Sequence, residues 1–514
     1  MIQFIDDPRA MLFVDDVTAS IGKLSQFLRE KFPKAKREEI IKSVGRNLVE
    51  QLDQMFLPII AAVIKEKRDS GELKGDSPTK RYENFFTKGN VDELTQKFPF
   101  LFQARDMLIT KAVNNIIECL ERLRGDIQLL LSTIINNADL ETLSAIDIPD
   151  PDFHDSRQVL ILTFVNSKLV YKPTNLRGVN VVNGLCNFFK LKSPYDLYIP
   201  QVVECKEYGW MEFIDFQEST NERQIRNHFK RYGSLLAFAE AFMFSDLQYP
   251  NIICARGEYP TPIDFETLFC PDHFEKTFPI NRILLVQEGS YGDGKPQDGF
   301  VASIQSFGYK TGIRSVPQSG TEGTDLIEAV TVQAPADLIL VNNPVSKTHF
   351  ISPLGYIDEI TSAYDYCYDL ISKKVKKITD LDVWDCVGQL SFRAIMRAGR
   401  KYKAFLSLAL TSSDPELVLK DGFKDLEFPE LHEYEISNLL KMDIPHFSIK
   451  PGQRHLFFGR QSVSECVEGF FSETASELFK KNIFNRHTQI KKKNINFIRK
   501  NLRLSQPSIL RITS

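Results

Sequence analysis

The sequence predicts an α+β protein in which a long helical N-terminal region precedes a mixed core. Three observations carry this expectation. Apolar residues recur at helical spacing through residues 1–145: Ile21, Leu24, Phe27 and Leu28, then Ile41, Val44, Leu48 and Leu52, then Leu120, Leu123, Ile127 and Leu131. The texture changes at Asp147–Pro151, where the proline-punctuated run IDIPDPDFH precedes two β-rich runs in VLILTFVNSKLVYKP. Helical patterns then return from residue 216 onward, between short strand-like runs.

The bulk properties bound the function. A chain of 514 residues is too long for one core, so two or three domains are expected. A net charge of −3 supplies no basic field of the kind that drives nucleic-acid binding. The eight cysteines form no C-x-x-C pair and most lie in apolar runs, as buried thiols of a reducing compartment do. The acidic start MIQFIDDPRAMLFVDD has no signal-peptide pattern, and no apolar run has the ~18 residues of a spanning helix. A cytoplasmic location follows as the expectation.

Taken in order, residues 1–145 form a helical packing or docking region without a cluster that suggests chemistry, interrupted by a polar surface loop over 67–85. Residues 146–215 read as a small lobe. Its hairpin turns at Asn166–Ser167, and its second strand ends on Lys172, where a side chain can point off a sheet toward a phosphate. YGWMEF (208–213) marks the passage to a large lobe over 216–503, with a tail over 504–514. The segment NERQIRNHFKRYGSLLAFAEAFMF predicts a helix with Leu235, Leu236, Ala239 and Phe242 on its apolar face, and it delivers the chain into Ser245–Asp246.

The stretch Phe244–Phe269, FSDLQYPNIICARGEYPTPIDFETLF, carries the chemistry. Asp246, Asn251 five residues on and Asp264 thirteen beyond offer two carboxylates and an amide oxygen, a set suited to a hard cation such as Mg²⁺. Kinases use the same grammar: one Asp receives the acceptor hydroxyl's proton, an Asn and a later Asp hold the metal, and a strand lysine precedes them. Residues 287–325 are rich in Gly, Ser and Gln, as a mobile activation-type loop would be. Gly289–Lys295 imitates a Walker A box, but Pro296 stands where a hydroxyl must ligate magnesium, which excludes it. FRAIMRAGRKYKAFLSLAL (392–410) reads as an amphipathic basic helix with Arg393, Arg397 and Arg400 on one face, either solvated or anion-binding. KMDIPHF (441–447) reads as a loop. Ile483, Ile490 and Phe497 define the buried seam of a lysine-rich helix over 479–500, which argues against nucleic acid.

Seven motifs in order resemble the dehydratase domain of class II lanthipeptide synthetases, the LanM family: PDFH (151–154), LVYKP (169–173), YGW (208–210), SDLQYPNII (245–253), TPIDFETLF (261–269), FRAIMRAGRKY (392–402) and DIPHF (443–447). The resemblance covers about 150–503 and implies a lipid-kinase-like bilobal core with extra helical N- and C-terminal regions. It implies an enzyme that uses ATP and Mg²⁺ to phosphorylate Ser and Thr of a ribosomally made precursor peptide, bearing a leader and a Ser/Thr-rich core. Phosphate elimination then gives dehydroalanine or dehydrobutyrine. Lys172 would touch the ATP phosphates, with Glu266 supporting the cofactor cluster. Asp246 would be the base, and Asn251 and Asp264 would hold magnesium. Asp152 and His154 match a D-x-H pair of the site, and Arg393 an arginine that assists elimination, with Arg397 keeping a second.

Three departures accompany the resemblance. Gln248 replaces the family's catalytic-loop His, and Gly399 replaces a Thr near the leaving phosphate. An amide can donate a hydrogen bond but carries no proton or positive charge. No His/Cys ligand cluster of the family's zinc cyclase follows, so a stand-alone dehydratase, with a separate cyclase or other maturation enzyme as partner, is expected. The alternatives are a peptide or protein kinase that stops at the phosphate, and a catalytically weak peptide-binding module.

Overall fold

The computed structural model describes residues 7–135, 142–249, 251–271, 277–286, 304, 312–334, 342–346, 349–379, 387–388, 390–460 and 465–504. Five helices come first: α1 (Val14–Lys31), α2 (Arg37–Asp69), α3 (Pro78–Phe85), α4 (Lys88–Lys97) and α5 (Pro99–Thr133). Strands β1 (Ala145–Asp147), β2 (Leu160–Thr163) and β3 (Lys168–Lys172) follow, then α6 (Arg177–Phe189), β4 (Val202–Glu204), β5 (Gly209–Glu212), α7 (Glu222–Ala241), β6 (Ile252–Ala255) and β7 (Tyr259–Pro262). Next come β8 (Gly312–Pro317), β9 (Ala329–Ala334), β10 (Val345–Ser346), β11 (His349–Phe350), α8 (Ile357–Thr379), β12 (Phe392–Ala394), α9 (Gly399–Leu410), α10 (Pro415–Phe423) and α11 (His432–Leu439). The chain closes with β13 (Phe447–Ile449), β14 (Leu456–Phe458), β15 (Cys466–Val467), α12 (Ala475–Phe484) and α13 (Thr488–Leu504). It divides into two compact units interleaved in sequence, the first made of residues up to 173, 310–335 and 397–445, the second of the remainder.

The first unit contains the helical region that periodicity predicts. Val44, Leu48, Leu52, Ile60 and Ile64 of α2 are buried, and α2 packs on α1 and α5. By length and apolarity α2 could cross a membrane, but most of its apolar side chains are core. The loop expected over 67–85 is shorter than its composition suggests. Ser77 accepts a hydrogen bond from the Lys80 N–H and Pro78 occupies the first helical position, which starts α3 there. β1, β2 and β3 pair antiparallel in that order, with Leu162 opposite Ile146 and Val170 opposite Ile161. The Phe164 N–H donates to the Ser167 carbonyl at 2.8 Å, closing the turn where Asn166–Ser167 predicts it.

The expected mobile loop over 287–325 falls largely outside the described residues, Gly289–Lys295 included. Its later part is ordered structure: β8 pairs with β9, the Ser315 N–H donates to Gln54 Oε1 at 2.7 Å, and Asp325 meets Arg81 at 2.6 Å. The single basic helix expected over 392–410 is also corrected. Phe392–Ala394 is a strand paired with Phe447–Ile449, and Ala398, extended at φ −62° and ψ 134°, caps a helix that begins at Gly399. Arg393 and Arg397 therefore lie outside the helix and share no face with Arg400. Pairing with a segment more than fifty residues away overrides the local helical period.

In the second unit α7 and α8 are closely packed. Gly233 permits this, since a Cβ there would lie 2.1 Å from the Ile360 carbonyl oxygen. β6 and β7 form a hairpin whose Arg256–Gly257 turn has both residues at positive φ, and β12 to β15 form an antiparallel sheet in sequence order. The helix expected over 479–500 is two helices that break at Asn485–His487. Ile483 is buried, but the seam of α13 is Asn494, Ile498, Asn501 and Leu502, with Ile490 and Phe497 half-buried. The break lets Arg486 turn inward to Glu240 at 3.2 Å, both side chains fully buried. No disulfide joins any two of the seven described cysteines.

Candidate active site

The site in the second unit begins where α7 ends. The Phe242 N–H donates to the Phe238 carbonyl as the last helical bond, and Met243 then turns through φ +50°. The chain beyond runs beside residues 267–270: Ser245 N–H donates to the Thr267 carbonyl at 3.2 Å, Thr267 Oγ1–H returns to the Ser245 carbonyl at 2.7 Å, and Phe269 N–H donates to the Phe242 carbonyl at 3.2 Å. This double attachment holds Asp246 at φ +57°, a region a residue with a side chain rarely occupies and one over-represented at functional sites.

The neighbours of Asp246 come from its own loop. Gln248 Nε2 donates to Asp246 Oδ1 at 2.8 Å, and Asn251 Nδ2 donates to the Asp246 carbonyl at 2.8 Å. The amide nitrogen of Asn251 is thereby used within the loop, which leaves its oxygen as the atom a cation would engage. Ile263 N–H donates to the Asn251 carbonyl at 3.0 Å and ties this loop to the end of β7, two residues before Asp264. One Asp264 carboxylate oxygen accepts from the Glu266 N–H at 3.1 Å. Next, the Arg393 N–H of β12 donates to the Glu266 carbonyl at 2.7 Å, and Arg393 Nη1 stands 3.6 Å from Glu266 Oε2. Asp246, Gln248, Asn251, Asp264, Glu266 and Arg393, six residues spread over 148 positions of sequence, are thus one bonded constellation.

Its electrostatics follow from burial and like charge. Burial pushes the Asp246 carboxyl up to about 7, with Asp264 and Glu266 adding to the rise while Arg393 and the Gln248 amide oppose it. Burial alone would also raise Glu266, but His446, Arg460 and Arg393 around it hold that carboxyl well below the usual range. Burial in turn pushes His446 down; its Nε2 lies 3.9 Å from Glu266 Oε2. One carboxylate near neutrality beside another held ionised is the separation that assigns a proton acceptor and a fixed charge.

The residues fit a magnesium ion that completes its shell from water and phosphate. Two carboxylates and an amide oxygen are hard donors, and a divalent cation would offset both the burial that chiefly raises Asp246 and the smaller contribution of the Asp264 charge. Among the described residues no three His, Cys, Asp or Glu side chains gather as a self-sufficient metal cage. Two carboxylates and one amide oxygen leave coordination positions that water and substrate phosphate would fill.

The remaining candidates belong to the first unit. Lys172 is the buried last residue of β3. Asp152 pairs with Lys403 at 2.9 Å, and His154 Nδ1 lies 3.0 Å from the Ile444 carbonyl oxygen. Arg397 is engaged internally: its Nε donates to Glu435 Oε1 at 2.7 Å, its Nη2 donates to the Glu427 carbonyl, and Tyr402 donates to the same carboxylate at 2.7 Å. Sequence reasoning misses His446 and Arg460. DIPHF stands out as a motif, but its histidine reaches Glu266 only because β13 pairs with β12, with Ser448 opposite Arg393.

Comparison with known proteins agrees in extent with these motifs. The family described as a domain of unknown function, DUF4135, matches residues 98–450. The lacticin 481/lactococcin biosynthesis protein LcnDR2 of Lactococcus lactis subsp. lactis is 24% identical over 424 residues, which cover 76% of this chain and 45% of that protein. The chain thus spans less than half the length of this relative.

Proposed function

From the premise that the chain belongs to the DUF4135 family, and from its LanM-like relationship to a lacticin 481 biosynthesis protein, we propose that it modifies Ser and Thr side chains of a ribosomally made lanthipeptide precursor. The reaction proposed is phosphorylation by ATP followed by elimination of phosphate, on a lipid-kinase-like core. The observation that carries it is the half-buried Asp246, with its proton affinity near neutrality, set beside Asp264, Asn251 and Arg393.

Bound magnesium and ATP would supply the phosphoryl donor and neutralise its charge, with Asn251 and Asp264 as ligands, Glu266 behind them and Lys172 assigned to the phosphates. Asp246 accepts the proton of the acceptor hydroxyl as the hydroxyl oxygen forms the new bond to the γ-phosphorus and the γ-phosphorus–oxygen bond to the departing ADP breaks; a base near pKa 7 is matched to that transfer. In elimination a base removes the α-proton, that electron pair becomes the Cα–Cβ double bond, and the Cβ–O bond breaks with phosphate leaving. Arg393 supplies positive charge for the departing phosphate, and Asp152 and His154 serve proton movement.

A second reading, a kinase that stops at the phosphate, is favoured by two features. Gln248 offers only an amide where the family pattern has a histidine, and Arg397 is spent on Glu435. Losing one donor from a charge-stabilising site typically costs roughly 10²–10³ in rate. Incubation with ATP, Mg²⁺ and a Ser/Thr-rich precursor peptide, read by mass, decides: net loss of water shows dehydration, a retained phosphoryl group shows kinase action, and an unchanged peptide points to a binding module. Asp264→Asn is expected to abolish both modifications, and dehydration persisting in it refutes the metal assignment. Arg393→Ala is expected to leave phosphopeptide behind.

A further inference from the structure

We propose that Asp443 and Lys111 are positioning residues that set the geometry and tautomer of His154; the inference deepens the dehydratase reading and rests on it for the catalytic role of the Asp152–His154 pair. The turn that carries His154 is strained. His154 and Arg157 exchange backbone hydrogen bonds at 3.0 and 3.1 Å, closing a two-residue turn with Asp155 at φ +50° and Ser156 at φ +61°. Such turns favour Asn-Gly or Asp-Gly because both central residues must be left-handed. Here neither is glycine, so something outside the turn must hold it.

Asp443 does so. Its Oδ1 accepts the Ser156 N–H at 2.9 Å and its Oδ2 accepts the Ser156 hydroxyl at 3.3 Å, while Lys111 Nζ lies 2.8 Å from Oδ2. Lys111 also donates to the Lys441 carbonyl and sits 5.6 Å from the Phe153 ring centroid, on the residue just before His154. Directly after Asp443, the Ile444 N–H donates to the Phe153 carbonyl at 2.7 Å and the Ile444 carbonyl faces His154 Nδ1 at 3.0 Å. A backbone carbonyl can only accept, so Nδ1 carries the hydrogen and Nε2 is the nitrogen that exchanges protons with a substrate. The clamp on Ser156 and the carbonyl on His154 are consecutive residues of one rigid segment.

The support continues along α5. Lys111, Asn115, Glu118 and Arg122, spaced four, three and four apart, form one polar stripe on a largely apolar helix. Asn115 Nδ2 donates to the Gln158 carbonyl at 3.2 Å, Glu118 receives both Nε and Nη2 of Arg157 at 3.0 and 2.9 Å, and Arg122 donates to the Tyr171 hydroxyl. The face that sequence reads as inert packing is a platform for residues 153–158.

The test compares wild type, Asp443→Ala, Asp443→Asn and the double variant Asp443→Ala/Ser156→Gly. A misplacement of the order of 1 Å costs about 10²-fold in rate, so kcat for dehydration is expected to fall by that order in Asp443→Ala, with the KM for ATP held within about twofold. Asp443→Asn, which keeps an acceptor for the Ser156 N–H, and the double variant, whose glycine takes positive φ unaided, are each expected to recover part of the loss. If kcat per folded molecule is unchanged in Asp443→Ala, or falls without any recovery in both other variants, the positioning role is overturned. Hydrogen exchange across 153–157 and the imidazole nitrogen shifts of His154 are measured on the same proteins without substrate. Faster exchange and a mixed tautomer in Asp443→Ala support the clamp, and unchanged signals overturn it. If wild type leaves every precursor peptide unaltered, the dehydratase reading fails by itself, and these two spectroscopic readouts still decide the clamp.

Discussion

Asp246 concentrates the costs of the candidate site: a left-handed backbone, a half-buried carboxyl and two like charges in its neighbourhood. Its carboxyl is raised from the ordinary 3.8 to about 7. Between those values the folded protein holds a proton that the unfolded chain has released. The contribution to stability is complete below about pH 4 and is lost as pH rises through about 7, by up to ~4 kcal/mol in metal-free protein. His228, buried and pushed down to about 3, acts in the opposite sense, so the difference between wild type and Asp246→Asn isolates the aspartate. Denaturant midpoints of both proteins from pH 4 to 8 check this, and parallel curves would contradict it. Asp246, Asn251, Asp264 and Glu266 were legible in the sequence because their spacing follows one loop and one hairpin. His446 was not, because what brings it to Glu266 is a strand pairing across more than fifty residues.

Among the elements, α1, α2 and α5 were readable because their 3.6-residue apolar periodicity is a local signal, whereas α3, started by the Ser77–Pro78 cap, lies inside the stretch 67–85 whose polar composition reads as a loop. The segments 392–410 and 479–500 misled for the converse reason. Each carries a helical pattern that β12 pairing or the inward turn of Arg486 interrupts. The start of α9 allows a direct experiment on the departure from the family pattern. A Cβ at Gly399 would meet nothing within 4 Å, so Gly399→Thr is expected to fold with a stability change within about 0.5 kcal/mol and to raise the ratio of dehydrated to phosphorylated peptide. Gly233→Ala is the contrasting case. Its Cβ would fall 2.1 Å from the Ile360 carbonyl oxygen and 2.9 Å from the Ala363 Cβ, so α7 and α8 must separate, at a cost of about 1–3 kcal/mol in thermal or chemical unfolding.

At the scale of the whole molecule, the chain passes between its two units several times, so neither unit is a continuous stretch. The second unit is held by a buried polar knot. Glu240 of α7 meets Arg486 at 3.2 Å, accepts from Tyr364 of α8 at 2.5 Å and from Asn494 of α13 at 3.0 Å, and Arg486 lies 3.8 Å from the Tyr368 ring centroid. Removing one member of a buried pair strands the other, so Arg486→Met is expected to cost about 3–5 kcal/mol in unfolding free energy at neutral pH, and a neutral result would show that the pair is dispensable. The sequence alone determined which oxygen donors, lysine and arginines are available and which runs are helical, because covalent order and local propensity act over a few residues. Only the tertiary structure decided that Arg393 stands against Glu266, that Arg397 is consumed by Glu435 and that Asp443 grips the His154 turn. Those proximities arise from strand register and from buried polar groups finding partners across long separations in the chain, and spacing along the sequence does not encode them.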